Sequence, residues 1–207
     1  MGLSHSPQIS LNGLVLCLDA ANSKSYPGSG TTWTDLSGGG NNGTLTNGPT
    51  YSSGNLGSLV FDGTNDYVVT TTSNSYLDMT IAVYINSAPT ILAGILATGT
   101  NTDKSLRFDS SLVLRNPGDA NDWASSATTF YVNGVVSNQL SLGWNIISGY
   151  RTNQSTFPLN FTAYLGTSGY PGRYLNGRIG CVYLYNRALS AAEVSQNYNA
   201  LKGRFSL

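Results

Sequence analysis

Short apolar runs recur along the chain at 14–19, 59–62, 66–72, 79–85, 91–97, 112–115, 128–139, 142–150, 160–165 and 179–185, separated by Gly, Asn and Pro clusters. Runs of this length between turn residues read as strands, and their number suits a two-sheet sandwich. The clearest hairpin lies in 130–136, FYVNGVV, where Asn133 and Gly134 supply the two positive φ angles of a type I′ turn. The period changes only at the end of the chain. Ser190 with Glu193 three residues on forms a capping box, Val194, Tyr198 and Leu201 follow at helical spacing, and Gly203 is placed to end the helix. One short helix behind a long series of strands predicts an all-β domain of two antiparallel sheets.

Between Asn22 and Gly57 the pattern lapses into a Gly-, Ser- and Asn-rich stretch. It reads as an ordered loop pinned by Trp33, Leu36 and Tyr51, because flexible linkers seldom carry large apolar anchors. No domain boundary is needed, so residues 11–207 form one domain behind an arm at 1–10. In that arm Pro7 removes a strand donor and the polar Ser4-His5-Ser6 gives no reason to fold locally. The expectation is a docking arm held against a neighbouring protein, with Leu3 and Ile9 as its apolar anchors.

Composition then narrows the partners. Only 10% of the 207 residues are charged, against a usual share of about 25%, and ten basic residues balance ten acidic ones. That leaves no electrostatic footprint for nucleic acid or an anionic membrane, and a neutral hydrogen-bonding surface that suits protein or sugar. No basic-then-apolar leader and no run of about 18 apolar residues is present, so neither secretion signal nor membrane helix is expected.

Four segments carry a resemblance: GLVLCLDAANSKSYPGSGTTWTDLSGGGNNGTL from Gly13, SLVFDGTNDYV from Ser58, FYVNGVV, and YLNGRIGCVYLYNRALSAAEVSQNYNALKGRF from Tyr174. Their order and motifs resemble the laminin G-like, concanavalin A-like domains of bacteriophage tail and other virion structural proteins. Segment 68–127 contributes only MTIAVYI to the likeness. The resemblance implies a jelly-roll sandwich, location in the virion, capsid or tail proteins as partners, and in many members glycan recognition; homo-oligomerisation is compatible with it. It also implies that the first strand, near 14–19, pairs with the last, near 179–185. Cys17 and Cys181 would then be neighbours, as free thiols if the particle assembles in a reducing cytoplasm.

Candidate chemistry is sparse. Glycan hydrolysis needs two carboxyl groups flanking the scissile bond, but the single glutamate, Glu193, is committed to the helix cap and the nine aspartates fall mostly in turns. His5 is the only histidine, which leaves no nucleophile triad or zinc site, and no cofactor is expected. Asp62, Asn65 and Asp66 could converge on calcium, yet three side chains are few for a cation that takes six to eight oxygens, and a turn stabilised by its own Asx side chains is the better account. Sugar stacking on aromatic rings beside polar groups nominates two loop clusters: Asn121, Asp122 and Trp123, and Tyr170, Arg173 and Tyr174. The same clusters would serve a protein interface. Two functions follow: a non-enzymatic virion protein, decorating a capsid or built into a tail or fibre, that acts by docking, and a carbohydrate-binding module that recognises host surface glycans.

Overall fold

The computed structural model describes residues 8–70, 78–97, 105–115, 128–151, 163–169 and 171–207. In chain order the strands are β1 (Leu14–Asp19), β2 (Thr32–Trp33), β3 (Gly43–Thr46), β4 (Thr50–Ser52), β5 (Ser58–Asp62), β6 (Tyr67–Thr70), β7 (Asp78–Ile85), β8 (Leu92–Ala97), β9 (Ser105–Asp109), β10 (Leu114–Arg115), β11 (Thr128–Val132), β12 (Val135–Val136), β13 (Gly143–Arg151), β14 (Tyr164–Leu165) and β15 (Asn176–Tyr185), followed by helix α1 (Ala191–Phe205). They form two antiparallel sheets. One runs β12-β11-β13-β7-β15-β5-β4 with β1 also on β15, and the other runs β10-β9-β8-β14-β6-β3-β2. This is a concanavalin A-like jelly-roll sandwich with a C-terminal helix.

The first and last strands do pair, with Leu16 opposite Leu184 and Leu18 opposite Val182. β5 takes the first half of that edge of β15 and β1 the second. The two inner sheet faces share a core that includes Leu16, Leu18, Trp33, Phe61, Ile81, Ile95, Phe108, Val182 and Leu184. β15 is buried on its other face as well, where Cys181, Tyr183 and Tyr185 join Trp144, Ile146, Val194, Leu201 and Phe205 beneath α1. Two-sided burial explains why 179–185 reads as a continuous apolar run rather than an alternation.

The capping box forms as expected: Ser190 accepts from the Glu193 amide while the Glu193 carboxylate accepts from the Ser190 amide. The helix does not stop at Gly203. It continues to Phe205, and Ser206 takes the left-handed cap at φ 58°. The last turn is held by what it touches. Arg204 donates to the Asn55 and Gly57 carbonyls and pairs with Asp19 at 2.6 Å, while the Phe205 ring lies 4.3 Å from that of Trp144. Gly180, at a register shift in β15, leaves the space that the Phe205 ring fills.

Stretch 22–57 departs from the expected loop, because it supplies β2, β3 and β4. Trp33 is fully buried and Tyr51 half-buried, but Leu36 is 37% exposed and Tyr26, at 3%, is the second interior anchor. Asp35 organises the turn, its carboxylate accepting from the amides of Cys17, Ser37 and Asn41. Three strands in 22–57 and β9, in which Ser105 and Arg107 interrupt the apolar pattern, escaped the sequence reading. The type I′ turn is present, with φ 52° at Asn133 and 81° at Gly134.

Residues 8–10 are the described part of the N-terminal arm. Gln8 accepts a bond from the Gln196 side chain, the Ser10 amide donates to Asn197, the Ser10 hydroxyl donates to Glu193, and Ile9 packs on the cluster beneath α1. Residues 8–10 thus bond this chain's own helix through Gln196, Asn197 and Glu193. Leu3 lies outside the described residues.

Cys17 sits opposite Tyr183, and Cys181 opposite Asp19, so the two cysteines are diagonal neighbours on one face of the sheet. Both are free thiols, which burial first of all pushes up to about 12. Diagonal positions stand roughly 7–8 Å apart, beyond the ordinary span of a disulfide.

Candidate functional site

At one end of the sandwich the C-terminal ends of β5 and β7 and the N-terminal end of β15 come together, because the three are adjacent and antiparallel. The connections there leave a cleft of about 240 Å³. Its polar lining comes from Asp62, Ser87, Thr90, Tyr174 and Asn176, and its apolar lining includes Ile91, Leu92 and Phe108. Phe108 is a buried floor, whereas Ile91 is 67% exposed at the rim.

Two glycines make this geometry possible. Thr167 and Ser168 lie so close to β8 that a β-carbon at Gly94 would stand 1.8 Å from the Ser168 amide nitrogen. The Arg173 carbonyl accepts from both the Gly94 and the Ser168 amides, which fixes the backbone just before Tyr174. Gly63, at φ 79°, turns the chain after β5 with its α-carbon against Asn176.

The polar groups are held by local bonds. Asn176 accepts from the Asn86 side chain at 2.9 Å and reaches the Ser87 hydroxyl at 3.5 Å. Asp62 Oδ1 accepts from the Thr64 amide at 2.7 Å, and the Asp62 amide donates to Asp66 Oδ2 at 3.1 Å. Burial raises the Asp66 carboxyl above its ordinary range, with the charge of Asp62 adding to the effect and the amide bond opposing it. Asp62 and Asp66 thus bond the turn's own backbone, while the Asn65 carbonyl accepts from the Asn47 side chain. No group of three or more His, Cys, Asp or Glu side chains suited to a metal ion occurs among the described residues.

Of the aromatic clusters nominated from sequence, Tyr174 lines the cleft and Arg173 serves it through its backbone. Asn121, Asp122, Trp123 and Tyr170 lie outside the described residues. Asp62 was nominated for calcium rather than for this cleft, and Ser87, Thr90, Ile91 and Asn176 were missed. Their signal was present in Ser87-Ala88-Pro89-Thr90-Ile91, a turn sequence that ends in an exposed branched apolar residue.

A second polar cluster lies under the start of α1. Asp78 is fully buried and accepts from the amides of Met79 and Leu189. Burial pushes its carboxyl up to about 8 despite both bonds and the nearby Arg187 charge. Glu193 shows the opposite shift: the Arg187 hydrogen bonds, then the Ser190 amide, hold its carboxyl far below the usual range. Arg187 closes this cluster through its contacts with Glu193, the Asn12 carbonyl and Ser10. These groups are spent on joining the arm, β7 and the helix.

Comparison with known proteins agrees with the jelly-roll sandwich. Residues 120–195 match the family described as the concanavalin A-like lectin/glucanases superfamily. Among solved structures, a Trypanosoma rangeli sialidase in complex with the inhibitor DANA superposes with a TM-score of 0.62 at 17% identity, covering 92% of this chain and 33% of the sialidase. The chain therefore spans about a third of the length of that enzyme. Domain 4 of AbnA, an extracellular GH43 arabinanase of Geobacillus stearothermophilus solved with arabinotriose, gives 0.57 at 14% identity, covering 89% of this chain and 98% of that domain. The binding domain of Paraclostridial Mosquitocidal Protein 1 gives 0.51 at 16% identity, covering 91% of this chain and 52% of that chain. No curated protein sequence matches the chain. At these identities the likeness shows the fold.

Proposed function

We propose that the protein is a non-catalytic carbohydrate-binding module and that the end cleft is its sugar site. The carrying observation is the meeting, in one cleft, of the aromatic residue Tyr174, the apolar Ile91 and Phe108, and the polar residues Asp62, Ser87 and Asn176. Sugars need that mixture, since their C–H faces pack on apolar and aromatic surface while their hydroxyls find fixed polar partners. The solved arabinanase domain, similar over nearly its whole length, holds arabinotriose, which supports a sugar ligand here. A binding rather than a hydrolytic role is favoured because Asp62 is the single carboxylate of the described lining and Glu193 is committed to Arg187 and the helix cap. A glycan array followed by titration tests the reading: saturable binding that Tyr174→Ala abolishes supports it, and no binding to any glycan rejects it. Release of reducing sugar from a bound glycan would reject the non-catalytic part.

The virion setting implied by the resemblance supplies a second reading, docking to capsid or tail proteins. It is favoured by Val135 and Val136 of β12 and Leu142 just before β13, which are 63%, 70% and 58% exposed. Charged replacements at Val135 and Val136 that reduced incorporation into particles, with sugar binding intact, would support docking. Unchanged incorporation would reject it.

A further inference from the structure

We propose that the cleft selects neutral sugars over anionic ones and that Asp62 is the residue that makes the selection; the inference rests on the carbohydrate reading above. The described lining contains no Lys, Arg or His, and its other polar side chains, those of Ser87, Thr90, Tyr174 and Asn176, are uncharged. Asp62 is therefore the one charged side chain of the described lining. That carboxylate is aimed: Oδ1 is tied to the Thr64 amide, and the residue's own amide is tied to Asp66. Oδ2 takes no hydrogen bond from the described residues, so it is the acceptor left for a ligand. Asp66 adds negative charge behind it rather than neutralising it.

A fixed carboxylate accepts sugar hydroxyls through charge-assisted bonds, which are shorter and stronger than neutral ones. The same group repels a sugar carboxylate brought to within a few ångströms, and the like-charge contact discriminates without any loss of affinity for the neutral ligand. The volume of about 240 Å³ is below the roughly 300–1,000 Å³ of pockets that enclose drug-sized ligands. It therefore fits the end of a glycan chain rather than its middle. The ligand class is a neutral terminal sugar, with vicinal hydroxyls facing Asp62 and a C–H face toward Tyr174 or Ile91.

The test is an amide NMR titration of the full chain at pH 7 and low salt. Methyl β-galactopyranoside, methyl β-glucopyranoside and L-arabinose are compared with N-acetylneuraminic acid and glucuronic acid. At least one neutral sugar should shift Gly63, Ile91 and Gly172 saturably, and the acids should bind at least about tenfold more weakly. In Asp62→Asn, which keeps the acceptor for Thr64, the acids should come within about threefold of the neutral sugar. Acids that bind the wild-type cleft as well as neutral sugars do, or a ratio unchanged in Asp62→Asn, would overturn the selection while leaving the sugar site standing. If neither class shifts these residues, the carbohydrate reading falls, and this inference with it.

Discussion

The two ends of β15 live under opposite conditions. Its C-terminal half, Cys181 to Tyr185, is buried on both faces, with the inter-sheet core on one side and α1 on the other. Its N-terminal residue, Asn176, is exposed and lines the cleft with Asp62 and Tyr174. The first end is held by interlocking contacts in which each group has several partners. At the second end the side chains have few partners inside the protein, and that leaves them available to a ligand. On the carbohydrate reading, stability and recognition sit at opposite ends of one strand, so that changes at either should separate cleanly.

The strongest way to break this separation is to remove the ring that closes the helix end. Phe205→Ala should destabilise the chain by about 3–5 kcal/mol in urea melts, because Phe205 is 2% exposed and fills the space over Gly180 against Trp144. Next comes Gly94→Ala, which acts at the cleft end but through the backbone. Its β-carbon would meet Ser168 well inside contact distance, so the Thr167–Ser168 backbone must move, at a cost of about 1–3 kcal/mol and with weakened sugar binding. It is the one cleft-end change for which stability and binding should fall together.

Acidity offers a third route, confined to the helix end. Because the folded Asp78 carboxyl sits at about 8, against about 3.9 in an unfolded chain, the folded state holds a proton there that the unfolded state has released. Stability from this group is complete below about pH 4 and declines as pH rises to about 8. Melting temperature should therefore fall between pH 5 and pH 8, by about 2–4 °C for each kcal/mol lost, and Asp78→Asn should flatten that slope. Glu193 works the other way, stabilising above its ordinary range and losing effect only in stronger acid. The smallest stability effect belongs to Tyr174→Ala, expected within about 0.5 kcal/mol of wild type by thermal melting, yet about tenfold or more weaker in sugar binding. Equal losses from Tyr174→Ala and Phe205→Ala would dissolve the comparison.

The helix end was the more legible from sequence, for physical reasons. Ser190, Glu193 and the Val194–Tyr198–Leu201 spacing act locally, so a few adjacent residues specify the element. The helix outlasted Gly203 because its last turn is fixed by Asn55 and Trp144, which are remote in sequence and invisible to a local reading. β2, β3 and β4 escaped notice since Asp35 and Trp33, rather than an apolar run, determine their course. The cleft was half legible. Tyr174 could be named because aromatic side chains in a Pro-Gly loop are conspicuous, but Asp62, Ser87 and Asn176 become one site only when β5, β7 and β15 lie side by side.

One consequence of the cysteine pair concerns time rather than structure. Only the thiolate reacts with alkylating agents, and burial pushes both thiols up to about 12, so the closed protein is nearly inert to iodoacetamide at neutral pH. Cys181 lies wholly beneath α1 and becomes reactive when the helix lifts away. Its iodoacetamide labelling rate should therefore act as an internal clock for helix opening, readable by mass spectrometry.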